Sequence, residues 1–310
     1  MPRTARKKFP GAILHVMVRS ISEVSLFRDN KDREKYLELI KKYKDLYMFN
    51  VYGYCLMTTH AHMIIDCCGS DISKIVKSIN QSYVQYYNKR YGRHGHLFQD
   101  RFKSKIVDND NYLIALSAYI HNNPKDIKLY KNDVSKYPYS SLAIYLGIKK
   151  DHHNILNTSF ILQHFSCDII KSRKTYVEIM KKAYNNMNSI ELAKEVEFVS
   201  EKSEYRSARG FILRETQPED IKEFISSYLG CDVNLHLKYS HKNNELKSLF
   251  IVIARSFSNL SLTDICLMLG NITLSNAWRL SQRGSLLIQT VPQYKNIIQD
   301  FIRQKIPVNP

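Results

Sequence analysis

The sequence contains no apolar run long enough to cross a bilayer, which takes about 20 residues. Its six cysteines form no C-x-x-C pair, and Cys67 and Cys68 are adjacent, so their spacing indicates neither a zinc site nor a disulfide framework. Behind the basic start, Met1 to Lys8, the apolar stretch is interrupted by His15 and closed by Arg19, which argues against a signal peptide. These absences predict a soluble cytoplasmic protein with reduced thiols.

Acidic residues are few relative to basic ones. Asp and Glu total 29 against 46 Lys and Arg, which gives a formal net charge of +17. An excess of this size favours a polyanionic partner, because neutralising phosphates releases condensed counterions. The 21 tyrosines, set among basic residues, suit stacking on unpaired bases, although most are expected to serve packing. Nucleic acid is therefore the expected partner, and a generic basic surface is the alternative.

Periodicity divides the first part of the chain into short strands and helices. In chain order these predicted elements are 14–18, 29–47, 51–57, 62–67, 72–91 and 102–107. The order β-α-β-β-α-β is the split βαβ pattern of ferredoxin-like folds, whose antiparallel sheet carries its helices on one face and leaves the other to a ligand. A third helix, Asn111 to Asn122, stops before Pro124, which cannot continue it. The predicted fold class of this part is α+β.

The last part of the chain has the pattern of a helix-turn-helix. Ser261 to Asp264 is typical of a helix start, Gly270 makes a turn, and Thr273 to Arg283 forms a second helix. The residues of this second helix expected to contact DNA are Ser275, Asn276, Arg279 and Arg283. An ordinary helical core without DNA contact is the alternative. We predict a first domain over 1–147, a helical connector over 148–240 and an all-α, helix-turn-helix-like domain over 241–310.

Two histidines, His60 and His62, stand two residues apart at the start of the third predicted strand. Strand alternation turns both imidazoles to the same side of the sheet, where they can share one metal ion. On the third helix Tyr119 and Asn123 are separated by one turn, so they lie side by side on one face. The amide oxygen of Asn123 could complete a His-His-Asn ligand set that leaves Tyr119 beside the metal.

Taken alone, H-x-H spacing is weak evidence for a metal site, because the sequence contains a second such pair, His94 and His96. That pair lies in a loop rich in Gly and Arg, and we assign it to loop structure or phosphate contact. Four motifs, in this order along the chain, support a functional role for His60 and His62. They are YCLMTTHAHMII at 54–65, GHLFQDRFK at 95–103, AYIHNNP at 118–124 and YPYSS at 137–141. Together, from about residue 11 to 147, they resemble the HUH endonucleases, and specifically the REP-associated single-tyrosine transposases.

The resemblance implies a metal-dependent, single-stranded DNA endonuclease and strand transferase that acts at hairpin-forming repeats. In such an enzyme Tyr119 attacks the scissile phosphate, giving a 5′-phosphotyrosine and a free 3′-hydroxyl, without a nucleotide cofactor. His60, His62 and Asn123 would hold Mg²⁺ or Mn²⁺. The basic residues expected to contact DNA in this domain are Arg19, Arg93, Arg101 and Lys103. A fragment ending near Gly147 is expected to contain the complete site, and both a monomer and a homodimer agree with the resemblance.

The sequence departs from the family pattern at two places. Thr58-Thr59 precedes the first histidine where Pro-Asn is usual, and Val18-Arg19-Ser20 replaces Asn-Arg-Gly, which puts recognition of the usual guide sequence beside a hairpin in doubt. Two other function classes compete with a nuclease. A non-catalytic nucleic-acid-binding regulator could use the same sheet but has no need of the ligand set and Tyr119 together. A zinc hydrolase would need a motif such as H-E-x-x-H, which the sequence lacks.

Overall fold

The computed structural model describes residues 12–22, 24–185, 211–212, 214–231, 233–235, 241–258, 260–270, 272–305 and 308–309. The basic start at 1–8 lies outside this part of the chain. No helix among the described residues is both long and apolar enough to span a membrane. The chain divides into two compact units. The first unit comprises the described residues up to 185 without 45–48. The second unit comprises 45–48 and the described residues from 211 onward. The connector predicted over 148–240 is therefore divided between the two units.

The first unit is built on a four-stranded antiparallel sheet in the order β2-β3-β1-β4. Its strands are β1 (Ile13–Arg19), β2 (Asn50–Leu56), β3 (His60–Asp66) and β4 (Lys103–Ile106). Its longer helices are α1 (Asn30–Tyr47), α2 (Ile72–Tyr91) and α3 (Asp110–Asn122), followed by α4 (Leu142–Tyr145), α5 (Ser159–Leu162) and α6 (Ile169–Asn185). The split βαβ order predicted from periodicity, and with it the α+β fold class, is confirmed.

The register of β1 decides which side chains share a face of the sheet. On β3, His62 pairs with Met17 and His60 pairs with Arg19, while on the other side Met17 pairs with Lys103 of β4. Because side chains alternate, these residues point to one face. The opposite face is wholly apolar along β1 and β3, and its side chains are buried: Leu14, Val16, Val18, Ala61, Met63 and Ile65. One polar face and one core face follow from this alternation.

A buried carboxylate joins α1 to α2. Asp32, in the first turn of α1, is fully buried and forms an ion pair with Arg90 near the end of α2. The backbone N–H of Arg28 and the hydroxyl of Tyr91 also donate to Asp32, each at 2.9 Å. A buried charge is tolerated only when it is paired and hydrogen-bonded, so these contacts fix the two helices against each other.

Tyrosine serves packing more than surface recognition in this unit. Seven of its tyrosines are almost completely buried: Tyr36, Tyr43, Tyr52, Tyr83, Tyr87, Tyr145 and Tyr176. The rings of Tyr36 and Tyr83 meet edge to face with their centroids 5.1 Å apart, which joins α1 to α2 as the ion pair does. Burying a phenol requires a partner for its hydroxyl, and the Tyr83 hydroxyl donates to the Leu26 carbonyl at 2.7 Å.

The third helix covers part of the face that was expected to be open to a ligand, because α3 packs against β2 and β3. His121 of α3 is fully buried there, and both of its ring nitrogens are hydrogen-bonded, Nδ1 to the Tyr176 hydroxyl at 2.6 Å and Nε2 to the Ser141 hydroxyl at 2.7 Å. Ser141 in turn accepts the Tyr54 backbone N–H of β2 at 2.9 Å. Burial lowers the pKa of His121 to about 3, so the ring is neutral. The network connects α3 to the sheet and to α6.

The second unit is helical, with one short pair of strands. Its elements are β5 (Phe211–Ile212), α7 (Pro218–Leu229), α8 (His241–Phe257), α9 (Leu262–Leu269), α10 (Leu274–Thr290), α11 (Ile297–Lys305) and β6 (Val308–Asn309). The helix α9 begins with a capping box formed by Ser261 and Asp264 and ends at Gly270, whose φ of 65° suits glycine. Thr273 then caps α10. The predicted pair of helices joined by a glycine turn is present, and α10 runs seven residues beyond the predicted end at Arg283, to Thr290.

The helix α10 crosses α8 at close range. At the crossing, a Cβ on Gly284 would lie 2.6 Å from the Val252 side chain and closer still to the Ser248 carbonyl oxygen of α8. No larger residue fits without moving a backbone, so Gly284 sets the distance between the two helices. The helix that carries the predicted DNA-contacting residues is therefore fixed rigidly on α8.

A fragment ending at Gly147 should unfold at a lower temperature than one ending at Asn185. The shorter fragment contains the whole predicted site but lacks Tyr176, so the Nδ1 of buried His121 loses its partner, which costs about 1–3 kcal/mol. Circular dichroism of the two fragments on heating measures the difference. Tyr176→Phe in the longer fragment, which removes only the hydroxyl, should give an intermediate midpoint. Equal midpoints would mean that α6 does not support α3.

Candidate functional site

A cavity of about 260 Å³ opens on the polar face of the sheet beside α3. The residues that line it are His15, Met17, Arg19, Thr59, His60, His62, Lys103, Ser104, Lys105 and Tyr119. They come from β1, from the turn before β3, from β3 and β4, and from α3. Three of them are basic and none is acidic, so the cavity attracts anions such as a phosphodiester.

The two predicted metal ligands meet at the start of β3. The ring centroids of His60 and His62 are 5.1 Å apart and their planes are inclined at 85°. Each ring has its Nδ1 hydrogen-bonded: His60 to the Thr59 hydroxyl at 3.1 Å and His62 to the Nε2 of His15 at 2.9 Å. In His62, Nε2 is then the nitrogen left for a metal ion.

The predicted nucleophile lies beside these rings. Tyr119 is half-buried on α3, and its ring meets His62 edge-on with 5.8 Å between centroids. Asn123, which ends α3, donates its Nδ2–H to the Tyr119 carbonyl at 3.0 Å, so its amide oxygen is the group that remains as an acceptor. Asn123 does not line the cavity, but its side chain hydrogen-bonds with His60. The structure therefore brings His60, His62, Tyr119 and Asn123 together.

The histidines of this site are held in their neutral form. Burial, and after it the Arg19 guanidinium, lowers the pKa of His60, while the hydrogen bond with Asn123 acts in the opposite sense. Burial, and then the neighbouring His15 and His60, lowers the pKa of His62 well below its usual value. Burial lowers the pKa of His15 to about 4. Neutral imidazoles keep one lone pair each, which is the form that binds metal ions.

The donor set fits a hard divalent cation held by imidazole and amide. The described part of the chain has no cluster of three His, Cys, Asp or Glu side chains that could share a metal ion. The predicted set therefore depends on the amide of Asn123 as its third member. Two imidazoles and one amide oxygen leave coordination positions open for a phosphate, unlike a closed structural zinc site.

The residues predicted to contact DNA in the first unit separate into two groups. Arg19 and Lys103 line the cavity. Arg93 and Arg101 lie in the loops between α2 and β4, outside the cavity, with the Arg93 guanidinium 5.8 Å from the Tyr87 ring centroid. The second H-x-H pair, at 94 and 96, is exposed in the first of these loops, as its Gly- and Arg-rich surroundings predict.

The cavity residues that sequence reasoning missed include His15 and Lys105. Lys105 stands two residues after Lys103 on β4, so strand alternation was the signal that could have placed it. His15 lies on β1, and nothing in its local sequence connects it with the H-x-H pair. Only the pairing of β1 with β3 brings it within hydrogen-bonding distance of His62.

The residues predicted to read DNA in the second unit all lie on α10. Ser275 is exposed, and Asn276 in the first turn accepts a hydrogen bond from Arg279 at 2.9 Å. Arg283, one turn further on, forms an ion pair with Glu245 of α8 at 3.3 Å. Arg279 is thus the more available of the two arginines for a phosphate or a base edge.

Comparison with known proteins bears on the first unit. Residues 8–123 match the family described as transposase IS200 like, and this segment contains the sheet, α1 to α3 and all four residues of the predicted catalytic set. A solved structure of a REP-associated tyrosine transposase bound to a REP hairpin has 19% identity over 47% of this chain and 86% of that chain, with a TM-score of 0.41. No curated protein matches the sequence. Over residues 8–123, the chain is thus similar to the IS200-like transposases.

Proposed function

We propose that the first unit is a metal-dependent single-stranded DNA endonuclease and strand transferase in which Tyr119 is the nucleophile. His60, His62 and Asn123 hold Mg²⁺ or Mn²⁺. The observation that carries the proposal is the meeting of Tyr119 with both imidazoles in one basic cavity.

The chain's own residues account for binding and orientation of the substrate. Arg19, Lys103 and Lys105 surround the cavity, so a phosphodiester entering it is met by three cations. The bound metal ion would supply polarisation of the scissile phosphate and stabilise charge on its oxygens. The position of α3 holds the phenol of Tyr119 next to this phosphate, which is the positioning that phosphoryl transfer requires.

The reaction is a transesterification. The phenolic oxygen of Tyr119 forms a bond to phosphorus while the bond from phosphorus to the 3′-oxygen breaks, and the phenolic proton passes, in net terms, to the departing 3′-oxygen. The products are a 5′-phosphotyrosine and a free 3′-hydroxyl. Attack of a 3′-hydroxyl on the phosphotyrosine reverses the step and rejoins strands, because the energy of the phosphodiester bond is kept in the covalent intermediate. The substrate we propose is single-stranded DNA next to hairpin-forming repeats, in line with the motif resemblance.

We further propose that the second unit selects or strengthens binding of DNA through α10. Ser275, Asn276, Arg279 and Arg283 occupy its first half, and a glycine turn connects it to α9 as in a helix-turn-helix. Gly284 fixes α10 on α8, so the exposed residues are presented on a rigid element. Binding without cleavage by both units together would be the behaviour of a regulator, the alternative function.

Tyr119→Phe should abolish strand cleavage and the covalent adduct while DNA affinity stays nearly unchanged, because only the attacking oxygen is removed. A labelled single-stranded oligonucleotide carrying a hairpin is incubated with protein and Mn²⁺ and run on a denaturing gel. The matched control is Tyr112→Phe, the same change on the same helix outside the cavity lining, which should keep the adduct. An adduct that persists in Tyr119→Phe would exclude this nucleophile. A wild-type protein that binds DNA but forms no adduct would favour the regulator.

His60→Ala and His62→Ala should each remove most Mn²⁺ binding, and Asn123→Ala should weaken it less, because a neutral amide is the poorer ligand. Titration calorimetry of the DNA-free protein measures these affinities. The sequence offers a matched control in its second H-x-H pair, since His94→Ala and His96→Ala alter exposed loop residues and should leave Mn²⁺ affinity unchanged. Equal losses from both pairs would mean that the metal site is wrongly assigned.

Arg279→Ala should weaken DNA binding by the second unit about 5- to 150-fold if the arginine contacts a base, a contact worth about 1–3 kcal/mol. If it contacts a phosphate instead, the loss of affinity should be the same for all DNA sequences. The slope of the logarithm of the binding constant against the logarithm of the salt concentration should then fall in magnitude by about one. Fluorescence anisotropy on hairpin and duplex DNA at several salt concentrations separates the two. Arg303→Ala on α11, an exposed arginine of the same unit, is the control. If both substitutions weaken DNA binding equally, α10 contributes only as part of a generic basic surface.

A further inference from the structure

His15 is a buried histidine that contacts a predicted metal ligand. Its side chain on β1 is 2% exposed, and its Nε2 lies 2.9 Å from the Nδ1 of His62. The two ring planes are inclined by only 23°, and the ring centroids are 5.1 Å apart. The strand register explains the contact: Met17 lies directly opposite His62 and His15 opposite Ile64, so His15 is the diagonal neighbour of His62.

The direction of this hydrogen bond decides what His62 can do. A neutral imidazole carries one N–H and one lone pair. If His15 donates, the proton of His62 sits on its Nε2, and that nitrogen cannot bind a cation. If His62 donates from Nδ1, its Nε2 keeps a lone pair. Histidine ligands of metal ions generally donate their second ring nitrogen to a fixed acceptor in this second way.

We propose that His15 is a positioning residue that accepts the Nδ1 proton of His62 and so aims the lone pair of His62 Nε2 at the metal site. The inference rests on the proposed function, because it assigns His15 a role in assembling the ligand set. His15 touches neither the substrate nor the metal. Its effect passes through the tautomer and the ring orientation of His62.

The two histidine ligands differ in their need for such a partner. His60 is half-buried and its Nδ1 faces the hydroxyl of Thr59, a group that donates or accepts by rotating about its own bond. His62 is 4% exposed, and its Nδ1 faces a ring held in a central strand. A ring nitrogen in a fixed ring accepts in one direction only. The geometry of His62 is therefore set by β1, whereas that of His60 has freedom to adjust.

The test compares two substitutions at position 15 in the full-length protein without DNA. His15→Leu removes the acceptor at similar volume, and it should lower Mn²⁺ affinity about 10–100-fold, the usual effect of losing such a partner. His15→Gln places an amide oxygen near the former Nε2 and should restore most of the affinity. Val16→Ala is the control for loss of packing, because Val16 is the next residue of β1, buried on the opposite face. It should lower the midpoint of thermal unfolding without changing Mn²⁺ affinity.

Long-range ¹H–¹⁵N spectra of metal-free protein read the tautomer directly. In the wild type His62 should carry its proton on Nδ1, and in His15→Leu the signals should shift towards a mixture of tautomers. A wild-type His62 protonated on Nε2 would overturn the inference even if His15→Leu does not fold. So would a folded His15→Leu protein that binds Mn²⁺ as tightly as the wild type does.

Failure of the proposed function has a different signature. A wild-type protein without measurable Mn²⁺ affinity, or one whose affinity survives His62→Ala, contradicts the metal site itself. Wild-type binding that depends on His62 but not on His15 contradicts only the role of His15. The two results are separated within one set of titrations.

Discussion

The position of α3 on the sheet is the constraint on which the site depends. Tyr119 lies beside His62 because His121, two residues further along the helix, hydrogen-bonds Ser141 and Tyr176 with its two ring nitrogens. Those hydroxyls belong to the segment after α3 and to α6, so the helix that carries Tyr119 is anchored by two other parts of the unit. A packed helix without these bonds could slide or rotate by a fraction of a turn. A buried hydrogen-bonded network resists such movement, because every displaced polar atom would lose its partner in an apolar setting.

Two buried histidines of this unit use the same side chain in different ways. His121 uses both nitrogens for internal hydrogen bonds and so serves only as a connector. His62 uses one nitrogen internally and presents the other to the cavity. Burial keeps both rings neutral. The two histidines therefore differ in the number of ring nitrogens that the interior satisfies, which burial alone does not indicate.

The sequence predicts the fold of the first unit well, because each element has a strong local signal. Alternation along 51–57 and helical spacing along 72–91 depend on neighbouring residues only, and both elements appear within a residue or two of their predicted bounds. The H-x-H pair and the spacing of Tyr119 and Asn123 are local in the same way. His15 is different, because its role depends on a register between β1 and β3 that alternation does not specify. The packing of α6 against α3 is likewise long-range, and the predicted domain end at 147 could not anticipate it.

The hydrogen bond between His121 and Tyr176 also bears on when the site becomes complete during synthesis. A ribosome releases β1 first, the H-x-H strand next and the tyrosine helix after that, yet the hydroxyl that anchors this helix belongs to α6, which emerges only later. A nascent chain that already contains His60, His62 and Tyr119 therefore still lacks the contact that anchors α3. This chain order delays the anchoring of α3 until most of the first unit has left the ribosome.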